Sequence, residues 1–253
     1  MATASSLPCL VLHHGDGKHT TTLYSVADGA RRPGEEMEEA LRGKRSWWAS
    51  PPAAGTECAL SGDPTGPGDC FTVVVLEPFV SGLTACGGKF YWPSSADKYG
   101  VLEFSPEPSL TTMTMAKPVE VTVPPGAAYA QAFKYSLDLD WEVHVAWIFF
   151  TGHEAEAVVN IAIYRVDLAG KRFVRVDSIG DRAILTGGSS WPFAGWCPAT
   201  EFGLLPNSVY WMHPYQSRMY VYDVGSNTEE VPELGEGVPE PSRPPFWIVP
   251  AHY

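Results

Sequence analysis

Basic residues are scarce in this chain: 17 Lys and Arg stand against 29 Asp and Glu, a formal net charge of −12. A protein that grips nucleic acid neutralises phosphates with a basic stripe, and none is present, so nucleic acid is excluded as a partner. The same deficit excludes anionic membrane surfaces. Long apolar runs are also missing. The longest, around Val143–Phe150, is far short of the roughly 20 residues a membrane helix needs. The N-terminal "MATASSLPCLVLHHGDG" has no basic leader and only a four-residue apolar run, so it does not read as a signal peptide. The expected location is cytoplasmic or nuclear. Cysteine is sparse: Cys9, Cys58, Cys70, Cys86 and Cys197 form no CxxC pair, and their odd number predicts reduced, mostly buried thiols.

Glycine and proline are plentiful, 24 and 23 residues, but they punctuate apolar runs and are not pooled in one tract. That distribution predicts a turn-rich all-β protein. Period-two alternation recurs along the chain. "VEVTVPPG" (119–126) sets Val119, Val121 and Val123 against Glu120 and Thr122. "VVNIAIYRVD" sets Val159, Ile161 and Ile163 against Asn160, Ala162 and Tyr164, and "RMYVYDVG" aligns Tyr220, Tyr222 and Val224. Each reads as a half-buried strand. "GEEMEEALRGKR" (34–45) spaces Met37 and Leu41 like a helix, but its apolar stripe is too thin for a core, so it reads as a solvated turn or loop.

A weak internal repeat organises these strands. "GGKFYWPSSADKYGVLEFSPEP" (87–108) and "PNSVYWMHPYQSRMYVYDVGSN" (206–227) share a Tyr-Trp strand, a polar turn and an answering apolar strand. The pairs are Tyr91–Trp92 with Val101–Phe104, and Tyr210–Trp211 with Val221–Val224. "VNIAIYRVDLAGKRFVRVDSIG" and, more faintly, "TTLYSVADGARRP" carry the same cue. A β-sandwich predicts no such repeated phrase; a β-propeller, with four-stranded blades of about 40–50 residues, does. The expected architecture is one all-β propeller of antiparallel blades over residues 1–253.

These phrases, in this order, resemble the plant F-box-associated β-propeller family of the KIB type, a kelch-like domain long listed as of unknown function. The matching segments are "LTACGGKFYW" (83–92), "GVLEF" (100–104), "IYRVDLAGKRFVRVDSIGDRAILTGG" (163–188) and "GLLPNSVYWM…MYVYDVGSNTEEVP" (203–232). Propeller-like sequence starts by residue 7, which leaves no room for the F-box that family members often carry. Strand phrases are missing around "RGKRSWWAS" and "LEPFVSGLTACGG". The expected propeller is therefore incomplete, or has fewer blades than its relatives.

Chemical motifs are few. "FVRVDSIGDRAILTGG" (173–188) has the wrong glycine spacing for a phosphate loop and no lysine after the glycines. It reads as a hairpin: Phe173, Val174, Val176 and Ile179 in one strand, Ala183–Leu185 in the next, Gly180 at positive φ and Asp181 bonding backbone amides. "HHGDGKH" gathers His13, His14, Asp16 and His19, yet Gly-Asp-Gly-Lys is a natural hairpin turn and neighbouring strand histidines face opposite ways. "TGHEAEAV" breaks the HExxH pattern at Ala157. "SLDLDWE" places Asp138 and Asp140 on one face of a strand, without a third catalytic group. No GxSxG occurs, and "GGSSW" lacks a nucleophile's strand–elbow–helix setting.

No catalytic, cofactor-binding or metal residues are therefore expected. What remains is an aromatic connection, "GGSSWPFAGWCPATEF" (187–202), with Trp191, Phe193 and Trp196, and a nearby turn with His213, Tyr215 and Arg218. Aromatic residues on a supported loop are typical binding hot spots; the competing reading is that they plug the channel or cover a blade edge. The expected function is a non-catalytic interaction module that binds a protein partner through blade loops. The resemblance implies relatives acting as substrate receptors in ubiquitin ligases; without an F-box, this chain is not expected to recruit the ligase scaffold itself. Two other readings stand beside it: a degenerate propeller fragment with little independent function, and a hydrolase with a channel site.

Overall fold

The computed structural model describes residues 9–14, 20–32, 48–49, 58–61, 71–73, 82–103, 109–120, 122, 128–152, 154–187, 193–213, 218–231 and 246–248. Within them every regular element is a β-strand, apart from one 3₁₀ turn at Thr200–Phe202. Among the described residues no helix is long and apolar enough to cross a membrane. The 34–45 segment and most of "HHGDGKH" lie outside the described residues.

The described strands fall into five sheets. β1 (Cys9–His14), β2 (Thr20–Ser25) and β3 (Ala30–Arg32) form most of the first. β4 (Trp48–Ala49), β5 (Cys58–Ser61) and β6 (Phe71–Val73) form the second. The third holds β7 (Thr84–Cys86), β8 (Lys89–Pro93), β9 (Lys98–Glu103) and β10 (Ser109–Thr114). The fourth holds β11 (Gln131–Leu139), β12 (Glu142–Thr151), β13 (Ala157–Asp167) and β14 (Arg172–Val176). The fifth holds β15 (Arg182–Gly187), β16 (Phe193–Pro198), β17 (Ser208–Met212), β18 (Met219–Asp223) and β19 (Thr228–Glu230). Finally β20 (Phe246–Ile248) returns to the first sheet and pairs with β1, Leu10 opposite Trp247. The first and last described strands thus pair with each other.

The internal repeat is a repeat of register. Tyr91 lies opposite Val101, and Tyr210 opposite Val221, each in an antiparallel hairpin. The tryptophans that follow differ in their partners. Trp92 lies across Gly100, its indole filling the space where an added Cβ would sit; Trp211 stacks on Tyr220 with ring centres 4.5 Å apart.

The alternating strands are not half-buried, because both faces pack on neighbouring sheets. On β12, Val143, Val145, Trp147 and Phe149 join a core with Tyr91 and Tyr99 of the third sheet. The intervening Ala146, Ile148 and Phe150 join another with Ile184, Val209 and Trp211 of the fifth. The fifth sheet repeats the arrangement: Tyr210, Met212, Met219 and Val221 pack with Leu10, Tyr24 and Trp247 of the first. Described packing therefore runs third–fourth–fifth–first, blade against blade. Edge strands β7, β11 and β16 adjoin along this series, with β20 beside β15.

Two strand expectations are corrected. The register of β12 against β13 shifts at Phe149/Phe150, so Val159 packs with the third-sheet core while Ile161 and Ile163 face the fifth. One bulged residue reverses the alternation. Val119, Glu120 and Thr122 form no strand. The Glu120 carbonyl accepts the Tyr164 hydroxyl at 2.6 Å and that of Thr122 accepts the Asn160 amide, while Val119 is buried.

The larger correction concerns "FVRVDSIGDRAILTGG". It is a crossover between sheets, not a hairpin: β14 is the outer strand of the fourth sheet, while β15 lies inside the fifth between β16 and β17. Gly180 does take a positive φ of 64°. Asp181, however, bonds a distant segment: its Oδ1 accepts from the Thr200 amide at 3.0 Å and hydroxyl at 2.6 Å. Asn207 completes the bracket, accepting the Ile179 N–H on Oδ1 at 2.9 Å and donating its own N–H to the Gly180 carbonyl at 2.9 Å. Ile179 itself is buried in the interface core.

Candidate interaction site

β15 and β17 run parallel, with Thr186 opposite Trp211. Their C-terminal ends therefore lie side by side, so the connection after Gly187 and the turn after Met212 leave the fifth sheet at one end. Phe193 sits at the base of the first connection, opposite Gly187. The His213 N–H donates to the Arg218 carbonyl at 2.9 Å and closes the base of the second. Trp191 and Tyr215 lie outside the described residues.

The remaining residues singled out in the sequence take different positions. Arg218 is exposed. His213 is buried: its Nε2 lies 2.7 Å from the Ala155 carbonyl, in the β12–β13 turn of the fourth sheet. Phe150, Trp211 and Tyr220 surround its ring at about 6 Å. It fastens two blades together below the loops. Trp196 is on strand β16, not in a loop, and pairs with Ile184 well below the loop end. Half-buried, it packs on the interface core, with the Arg182 guanidinium 5.5 Å from its ring centre.

Asp138 and Asp140 do not share a strand face. β11 ends at Leu139, and Asp140 belongs to the two-residue turn into β12. Asp138 Oδ1 accepts the Trp141 N–H at 2.8 Å. Burial raises the pKa of this carboxyl, and the hydrogen bond from the Trp141 N–H opposes the rise. Asp140 pairs with Arg182. The geometry is that of a braced turn and not of a proton-sharing pair.

Cys9, Cys86 and Cys197 are buried. Burial, then the Asp138 charge, pushes the Cys86 thiol up to about 11. Burial, with Glu201 and Asp181 behind it, pushes Cys197 up to about 12. Both stay protonated at neutral pH, so neither supplies a thiolate nucleophile. Among the described residues no three His, Cys, Asp or Glu side chains are grouped to hold a metal.

Sequence reasoning missed Trp141, whose side chain is 80% exposed on the β11–β12 turn, and Arg182, which touches both Asp140 and Trp196. "LDLDWE" held a readable signal: an acidic residue followed by a large one between two alternating runs marks a turn as well as a strand.

Antiparallel sheets packed face to face in series are the architecture of a β-propeller, here with the described sheets not closed into a full ring, as expected for an incomplete one. Residues 9–225 match the KIB1-4 beta-propeller family, and the chain belongs to it. No curated protein and no solved structure matches the chain.

Proposed function

We propose that this chain is a non-catalytic protein-interaction module, related to ubiquitin-ligase substrate receptors, that holds a protein partner with the loops at one end of its fifth sheet. The observation that carries this reading is the parallel pairing of β15 with β17, which sets the bases of the 187–193 and 213–218 connections beside each other. A rigid blade under adjacent loops is the usual arrangement for recognition, because the scaffold bears the ordering cost in advance. His213 supplies part of that rigidity by tying the second loop's base to the fourth sheet. The partner is met inside the cell, in cytoplasm or nucleus.

Quantitative co-precipitation from cell extract tests this. The wild-type chain is compared with a Trp191→Ala/Tyr215→Ala/Arg218→Ala variant of matched thermal stability. Specific partners are expected to fall by an order of magnitude or more with the variant, as for loss of two or three hot spots. Partners retained in full, or recovered only alongside the ligase's adaptor subunit, overturn the reading.

A further inference from the structure

Trp141 occupies the second position of a two-residue turn in which Asp140 and Trp141 have φ angles of 54° and 66°. Such turns match the twist of the flanking strands and favour Asp-Gly or Asn-Gly. Asp140 fits that rule, and Trp141 stands where glycine belongs. A left-handed tryptophan is unfavourable, and here no burial offsets it, since the side chain is 80% exposed.

The turn is nevertheless held firmly. The Trp141 N–H donates to Asp138 Oδ1 at 2.8 Å, and its carbonyl accepts the Cys86 thiol at 3.1 Å. Cys86 ends β7 of the third sheet, so the backbone that carries the indole is held by two blades. Asp140 is tied in turn to Arg182, the first residue of β15. The Trp141 turn thus lies by the start of β15, and the loops discussed above lie past its end.

Charge selects what such an indole can receive. Asp138, Asp140 and Glu142 flank it, with Asp181 beside Arg182 and Glu201 following Thr200, to which Asp181 is bonded. Arg182 and Arg165 answer Asp140 and Glu142, leaving the carboxylates in excess. The protein already makes the corresponding contact internally: Arg182 sits between the Asp140 carboxylate and the Trp196 ring, and Lys134 Nζ lies 5.7 Å from the Trp147 ring centre.

We propose that the Asp140–Trp141 turn is a second docking point, for a lysine- or arginine-bearing segment of a partner protein. The cation lies on the exposed indole face, as Arg182 lies on Trp196, and the surrounding carboxylates steer it there. Because the turn is fixed beforehand, little ordering is lost on contact.

Fluorescence anisotropy on the full chain tests this with two labelled nonapeptides, one of alternating arginine, glycine and lysine, the other with aspartate and glutamate in place of the basic residues. The basic peptide is expected to bind, to weaken with salt, and to lose about tenfold in affinity on Trp141→Ala. Trp141→Gly is expected to lose binding equally while melting no lower than wild type, which separates loss of contact from loss of fold. Tyr215→Ala and Arg218→Ala are expected to leave this binding unchanged, distinguishing it from the loop site. Equal affinity for both peptides, no binding of the basic one, or full binding by both Trp141 variants overturns the proposal.

Discussion

Tyr222 reaches out of its own sheet: its hydroxyl donates to the Ile161 carbonyl, 3.1 Å away across the interface between the fifth and fourth sheets. Comparable pins cross the other described interfaces. Tyr99 meets the Ser136 hydroxyl at 2.8 Å between the third and fourth sheets, and the Trp247 indole N–H meets the Thr186 carbonyl at 3.0 Å between the first and fifth. Close packing sets how the stacked sheets fit, and one directional bond from a large ring adds to the specificity of that fit.

Tyr222→Phe keeps the ring in the core and removes the pin. The expected loss is about 1–2 kcal/mol, because the Ile161 carbonyl and the Asn227 side-chain oxygen both lose the hydroxyl they share. Urea denaturation with an unchanged slope checks it; no shift in midpoint shows that the bond contributes nothing.

Asn207 has a φ of 54° and also bonds the buried Ile179 N–H. Asn207→Gly keeps the backbone conformation and loses only the side-chain bond. Asn207→Ala loses both, and is expected to be less stable than the glycine variant by about 1 kcal/mol. Equal melting of the two variants refutes the backbone part of this account.

Burial lowers the pKa of His144 below its ordinary value near 6.5, although the Glu142 carbonyl, 3.0 Å from Nδ1, favours the charged form. The unfolded chain therefore binds the proton more readily than the folded one. This contribution is complete above pH 6.5 and declines as pH falls through that value towards the lowered one. Stability measured between neutral and mildly acidic pH should fall more steeply for wild type than for His144→Gln; parallel curves would falsify the assignment.

Trp247 is 3% exposed and sits in the core shared by the first and fifth sheets. Trp247→Ala is expected to cost about 3–5 kcal/mol through the cavity and the lost pin. Loosening β20 also frees the edge of β1, so light scattering should report association on mild heating. A monomeric variant with wild-type melting shows that the clasp is dispensable.

Gly100→Ala places a methyl group inside the space of the Trp92 ring. A cost of about 1–3 kcal/mol is expected from the displaced indole. Trp92→Leu in the same background should recover part of it, as a double-mutant cycle will show.

Period-two alternation and Gly, Asn and Asp punctuation determined, from the sequence alone, the all-β class and the hairpins of the repeated Tyr-Trp phrase, but not the 119–123 segment or the 173–188 connection. Tyr91 with Val101 and Tyr210 with Val221 were legible because a hairpin's register depends on residues only a few positions apart. Only the tertiary structure decided where each strand goes next. The 177–181 connection is short enough for a hairpin yet carries the chain from one sheet into another, a difference set by Asp181 and Asn207 meeting residues about 20 and 28 positions away. The same holds for the candidate site. Aromatic content marked Trp196 and His213, but burial followed from the neighbouring sheets, and Trp141 was left exposed because it sits in the two-residue turn beyond the paired ends of β11 and β12. Alternation along a strand is a local property; the surface that a strand meets belongs to residues far away in the chain.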